Sequence, residues 1–87
     1  MPLILKIDSY RVYFWSNEGD PLEPVHVHVS EGRPTTSATK IWIMTTGECR
    51  LCNNNSRIPE RALNNIMRIL EAYHQEIADA WNRYFYV

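Results

Sequence analysis

An α+β fold is predicted for this chain of 87 residues: an antiparallel sheet of four to five strands covered on one face by a single long C-terminal helix. Three observations predict it. Short β-favouring runs separated by turn formers fill the chain up to about Ile58. Near the middle, Glu23-Pro24-Val25-His26-Val27-His28-Val29 alternates valine and histidine strictly, the pattern of a strand with two unlike faces. After Pro59 the apolar period changes from two to between three and four. One domain spanning 1–87 accommodates all of this, with a single core of modest size.

Leu3 to Ile7 forms the first apolar run and Tyr10 to Trp15 the second, with only Asp8-Ser9 between them, so the pair reads as a tight hairpin. In the second strand Tyr10, Val12 and Phe14 share one face, and Arg11, Tyr13 and Trp15 share the other. Ser16 to Glu23 is a loop carrying Glu18, Asp20 and Glu23, and Pro24 holds the chain extended at its end. Val25 to Ser30 is the third strand, closed by the turn signal Glu31-Gly32-Arg33-Pro34. Thr39 to Thr46 is the fourth, with Ile41 and Ile43 opposite Lys40, Trp42 and Met44. Gly47 turns the chain, and Glu48 to Cys52 reads as a short edge strand.

Pro59 suits the first helical position and Glu60 the positive end of the helix dipole. Leu63, Ile66, Leu70, Tyr73, Ile77, Trp81 and Tyr84 then recur at threes and fours, a stripe for one helix of about 25 residues and about 38 Å. Asp79 and Arg83 stand four apart with the acid first, the orientation that favours an ion pair.

Composition narrows the function classes. Hydrophobic residues make up 45 % and charged ones 22 %, as in ordinary soluble domains, and the net charge is −1. That balance gives no global attraction to nucleic acid or to membranes. No apolar run approaches the ~20 residues of a membrane span, and the first residues lack a signal-peptide pattern, so cytoplasmic residence is expected. Cys49 and Cys52 form a lone C-x-x-C among turn residues and are expected to be unlinked structural or incidental thiols, with a redox or metal role as the alternative. A phosphate-binding glycine loop and a G-x-S-x-G elbow are both missing from the sequence.

The chemistry-bearing stretch is His26-Val27-His28. With the valines facing the core, both imidazoles would leave the sheet together on the opposite, solvent-reachable face. Two histidines so placed can act as an acid–base pair or ligate one divalent transition metal, with Glu18 or Glu23 as a further ligand. Arg11, Trp15, Lys40 and Trp42 fall on the same face and complete a candidate binding surface. His74 reads as a helix-surface or boundary residue rather than a third ligand.

The aromatic strand running into Ser16-Asn17-Glu18-Gly19, then Glu23-Pro24 and His26-Val27-His28, then Lys40-Ile41-Trp42, and finally Trp81-Asn82-Arg83-Tyr84-Phe85 together resemble the small prokaryotic family catalogued as domain of unknown function 4160 (DUF4160). The resemblance runs over nearly the whole chain. Departures are Asp8-Ser9, where family members often have glycine, and the segment from Cys49 to Asn55. The resemblance implies a stand-alone cytoplasmic protein encoded beside another short reading frame, a toxin–antitoxin-like arrangement. It carries no activity with it.

The favoured reading is therefore a protein-interaction component of a gene pair, with a protein partner from the adjacent gene and the His-x-His strand and acidic loop as its surface. The aromatic chain end, Trp81 to Tyr86, suggests that a homodimer is an alternative contact. The alternative function is a metal- or RNA-dependent hydrolase, ribonuclease-like, using His26 and His28. Nucleic-acid binding fits the cations and rings of that face, but the near-neutral charge argues against it.

Overall fold

A computed structural model describes residues 3–15 and 24–86. Five strands, β1 (Leu3–Ile7), β2 (Tyr10–Tyr13), β3 (His26–Glu31), β4 (Thr39–Ile43) and β5 (Cys49–Asn53), precede α1 (Glu60–Ala72) and α2 (His74–Tyr86). The strands lie side by side in chain order, β1-β2-β3-β4-β5, and every neighbouring pair is antiparallel. This is the α+β architecture expected, with the fifth strand present and the helical part in two pieces.

The Asp8-Ser9 turn closes the first hairpin, pairing Ile7 with Tyr10. Asp8 adopts a φ of 54°, the left-handed region that glycine takes freely and that Asp tolerates better than most residues. Asp at this position therefore meets a backbone demand that is more often met by glycine. Beyond it, Val12 pairs with Val29 and Val27 with Ile41, which sets the apolar side chains of three strands on one face. Val12, Val27, Val29 and Ile41 are fully buried there against Leu63, Ile66 and Leu70 of α1 and Ile77 and Trp81 of α2. Val25 is half-buried and packs on the same cluster, so the valine face is the covered one.

The single long helix expected from the periodicity is replaced by two helices that break at Tyr73. His74 supplies a reason. Its Nδ1 lies 2.8 Å from the carbonyl oxygen of Glu71, and an Nδ1–H donated there competes with the backbone bond that would carry α1 onward. The apolar stripe continues through the break, which is why periodicity does not reveal it. Asp79 accepts a hydrogen bond from Gln75 Nε2 at 3.1 Å, and no ion pair joins it to Arg83.

The segment between β5 and α1, unremarkable as sequence, is tied into the sheet by side chains. Asn54 Oδ1 accepts from Thr39 Oγ1 (2.8 Å) and from the Ile58 N–H (3.0 Å), while Asn54 Nδ2 donates to the Ile58 carbonyl (3.0 Å). Ser56 Oγ accepts from the Thr39 N–H at 2.9 Å and donates toward the Val29 carbonyl at 3.1 Å. These bonds fasten the approach to α1 onto β3 and β4, so that Ile58 is buried where the helix begins.

Candidate functional site

The face of the sheet away from the helices is an aromatic layer running across β2, β3 and β4. Register places Tyr13 opposite His28, His28 opposite Lys40, and His26 opposite Trp42. Tyr13 and His28 stack with centroids 6.0 Å apart, and Trp15 stands edge-on to both, 5.6 Å from Tyr13 and 6.0 Å from His28. His26 meets His28 edge-to-face at 5.2 Å and Trp42 at 5.3 Å. From the end of the sheet, Trp81 reaches His26 at 5.0 Å while touching Phe14 at 5.2 Å, bridging the aromatic layer and the main core.

This packing corrects the expected accessibility of the histidines. Both do point away from the valine face, but His26 is 1 % exposed and His28 8 %. Alternation specifies which side a residue occupies and says nothing of what covers it. Here the neighbouring rings form part of the cover, and the turn after β3 closes over Tyr13. Tyr13 Oη accepts from the Thr35 N–H (3.2 Å) and lies 3.1 Å from Ser30 Oγ, which donates to the Arg33 carbonyl (2.9 Å). Tyr13 and Ser30 are each only 1 % exposed as a result.

His26 Nδ1 lies 3.0 Å from the Pro24 carbonyl oxygen, which fixes the proton on Nδ1 and the ring's orientation. His26, His28 and Lys40 each have interaction partners in addition to those named. Around this floor stands a half-buried rim of Arg11, Trp15, Lys40 and Trp42. Lys40 Nζ sits 4.4 Å from the Trp42 ring centroid, a cation–π contact that holds both side chains over the sheet. All four rim residues anticipated from sequence thus share one face with the two histidines. Glu18 and Glu23, with the rest of the acidic loop, lie outside the described residues. Among the described residues, no three His, Cys, Asp or Glu side chains gather where they could hold a metal ion, so any such site built on His26 and His28 would need a ligand from elsewhere.

Alternation placed Tyr13 on this face with Arg11 and Trp15, but Ser30 and Thr35 were not legible as its partners, because that contact depends on a turn folding back over the face. The only sequence signal was the Glu31-Gly32-Arg33-Pro34 turn itself.

The sequence model of the family described as Domain of unknown function (DUF4160) matches residues 9–82. The chain belongs to the DUF4160 family. Its match takes in the whole aromatic layer, from Tyr13 through His26 and His28 to Trp42 and Trp81. For this DUF4160 domain neither a curated protein nor a solved structure gives a significant match.

Elsewhere in the DUF4160 domain, Cys49 and Cys52 are both free thiols, the first buried against the helices and the second exposed. Burial raises the Cys49 pKa to about 11, and the carboxylates of Glu71 and Glu48 add to the rise. The aromatic chain end is divided. Trp81 is buried and Phe85 half-buried on the core, while Tyr84 is 41 % exposed; the side chain of Tyr86 lies outside the described residues. No helix among the described residues is long and apolar enough to cross a membrane.

Proposed function

We propose that this DUF4160 protein is a protein-interaction component, one member of a small toxin–antitoxin-like gene pair, whose binding surface is the sheet face centred on the His-x-His strand together with the acidic loop 16–23. The observation that carries this reading is the arrangement of that face: a sealed floor of His26 and His28 under a half-buried rim of Trp15, Trp42, Arg11 and Lys40. Tryptophan and arginine on a rigid platform are the side chains that most often dominate binding energy at protein interfaces. Histidines buried among rings serve better as a platform than as groups that must meet a substrate.

Co-purification from the native host with the product of the adjacent gene tests this. The wild-type chain retains that product, and Trp15→Ala or Lys40→Glu releases it while the circular dichroism spectrum stays unchanged. Retention by both variants would place the partner elsewhere.

The hydrolase alternative, metal- or RNA-dependent and using His26 and His28, draws support only from the contact between the two rings. It requires their cover to open. Titration with zinc or nickel would then shift the His26 and His28 imidazole signals, and a growth arrest on expression would be relieved by His28→Ala.

A further inference from the structure

The two edges of the sheet are finished differently. At the β5 edge the Cys49 N–H donates to Glu71 Oε2 of α1 at 3.0 Å, and Glu48 and Arg50 pair beside it at 2.7 Å. A carboxylate thus occupies a backbone donor that an added strand would need. At the β1 edge no such cover exists: among the described residues, nothing beyond the β2 ladder hydrogen-bonds to the backbone of Leu3–Ile7. In an antiparallel strand alternate residues turn their N–H and C=O groups away from the existing partner, so this edge is an open template for one more strand.

Side chains around that edge specify what would fit. The ladder slips between Leu3 and Leu5, and Ile4 lines a groove of about 270 Å³ with Phe14, Ala80, Arg83 and Tyr84. Leu3 is 55 % exposed beside it. Lys6 and Arg83 are both exposed, and neither has a carboxylate within ion-pair distance among the described residues. The edge therefore offers unpaired backbone groups, an apolar slot and two cations.

We propose that β1 accepts an added strand from a protein partner: an extended segment that sets an apolar side chain into the Ile4–Tyr84 groove and presents carboxylates to Lys6 and Arg83. This mode of binding takes its affinity from main-chain hydrogen bonds and its selectivity from alternate side chains. A second copy of β1 fits less well, because Leu-Ile-Leu-Lys-Ile carries only a cation to set against Lys6 and Arg83. The slip at Ile4 also twists the strand away from a flat self-pairing. Lys6 stands opposite Arg11 at the margin of the Trp15–Trp42 face, but the groove itself is lined by neither tryptophan. Loss of binding in Trp15→Ala and loss of the Leu3–Ile7 amide shifts therefore tell the two surfaces apart.

The test uses the ¹⁵N-labelled full chain and an acetylated peptide alternating Glu with Val and Leu, with its Lys-for-Glu counterpart as control. The acidic peptide shifts the amide signals of Leu3–Ile7, slows their hydrogen exchange and moves the Tyr84 ring signals. The Lys6→Glu/Arg83→Glu variant, altered only at exposed positions, binds it about tenfold more weakly. The proposal is overturned by no shift at millimolar peptide, by equal binding of the lysine peptide, or by shifts at Cys49–Asn53 instead. Self-association that protects the Leu3–Ile7 amides without peptide would overturn it in favour of a second copy.

Discussion

The imidazole of His26 rests 5.0 Å from the indole of Trp81, centroid to centroid, at an angle of 59°. One ring belongs to the His-x-His strand and the other to the Trp-Asn-Arg-Tyr-Phe segment of α2, so two stretches far apart in the chain are in direct contact. Through Trp81 the second helix holds both the core, by way of Phe14, and the aromatic layer, by way of His26.

Removing that indole should therefore disturb both faces. Trp81→Ala is expected to cost about 3–5 kcal/mol, the range for truncating a buried aromatic. Trp81→Phe keeps an aromatic ring against Phe14 at a smaller cost, yet still alters the ring-current environment of His26. Urea denaturation measures the first effect, and the His26 Cε1–H resonance the second. A His26 signal that does not move in Trp81→Phe would show that the contact is not made in solution.

Asn54 concentrates the polar bonds that hold the β5–α1 connection, and Asn54→Ala strands the hydroxyl proton of Thr39 and the Ile58 N–H together, although Thr39 Oγ1 still accepts from the Ser56 N–H. The expected loss is about 2 kcal/mol, since buried groups left unpaired cost more than the average hydrogen bond contributes. Asn54→Asp retains both acceptor contacts and forfeits the bond to the Ile58 carbonyl, so about half that loss is expected. Equal urea midpoints for Asn54→Ala and the wild type would contradict this reading.

Much of the fold was legible because the controlling signals are local. The apolar run Leu3–Ile7, the alternation in His26–Glu31, the Asp8-Ser9 gap and the helical period after Pro59 each specify an element without reference to anything distant. What was not legible depends on contacts across the chain. The break at Tyr73 comes from the His74 ring meeting Glu71, which leaves the apolar stripe intact. Burial of His26 and His28 comes in part from Trp42, Trp81 and Tyr13, supplied by three other elements. Asn54 and Ser56 look like turn formers until Thr39 is brought beside them.

Gly47 illustrates a similar long-range constraint. It holds a φ of 95°, and a Cβ there would fall 2.9 Å from His74 Cε1 at the start of α2. Gly47→Ala is therefore expected to destabilise by about 2 kcal/mol, from overpacking and the left-handed backbone together. Gly47→Ala/His74→Ala removes the clash and leaves the backbone strain, recovering about half of the loss. A double-mutant cycle from thermal unfolding separates the two, and full additivity would show that the ring is not what Gly47 accommodates.

The two thiols should differ sharply in reactivity, because only the thiolate is a nucleophile. Cys52 is exposed, whereas Cys49 is buried with a pKa raised from 9.0 to about 11. With iodoacetamide at pH 8, one carbamidomethyl group per chain is expected quickly, at Cys52, and the second only under denaturant; peptide mapping by mass spectrometry reads both. The raised pKa also sets a sign for stability. Below pH 9 the thiol is protonated in folded and unfolded chains alike, so the contribution of Cys49 is fully present. As pH climbs from about 9 toward about 11, the unfolded thiol loses its proton while the folded one keeps it, and stability falls. Cys49→Ala should flatten that part of the pH–stability curve, whereas Cys52→Ala should leave its slope as it was.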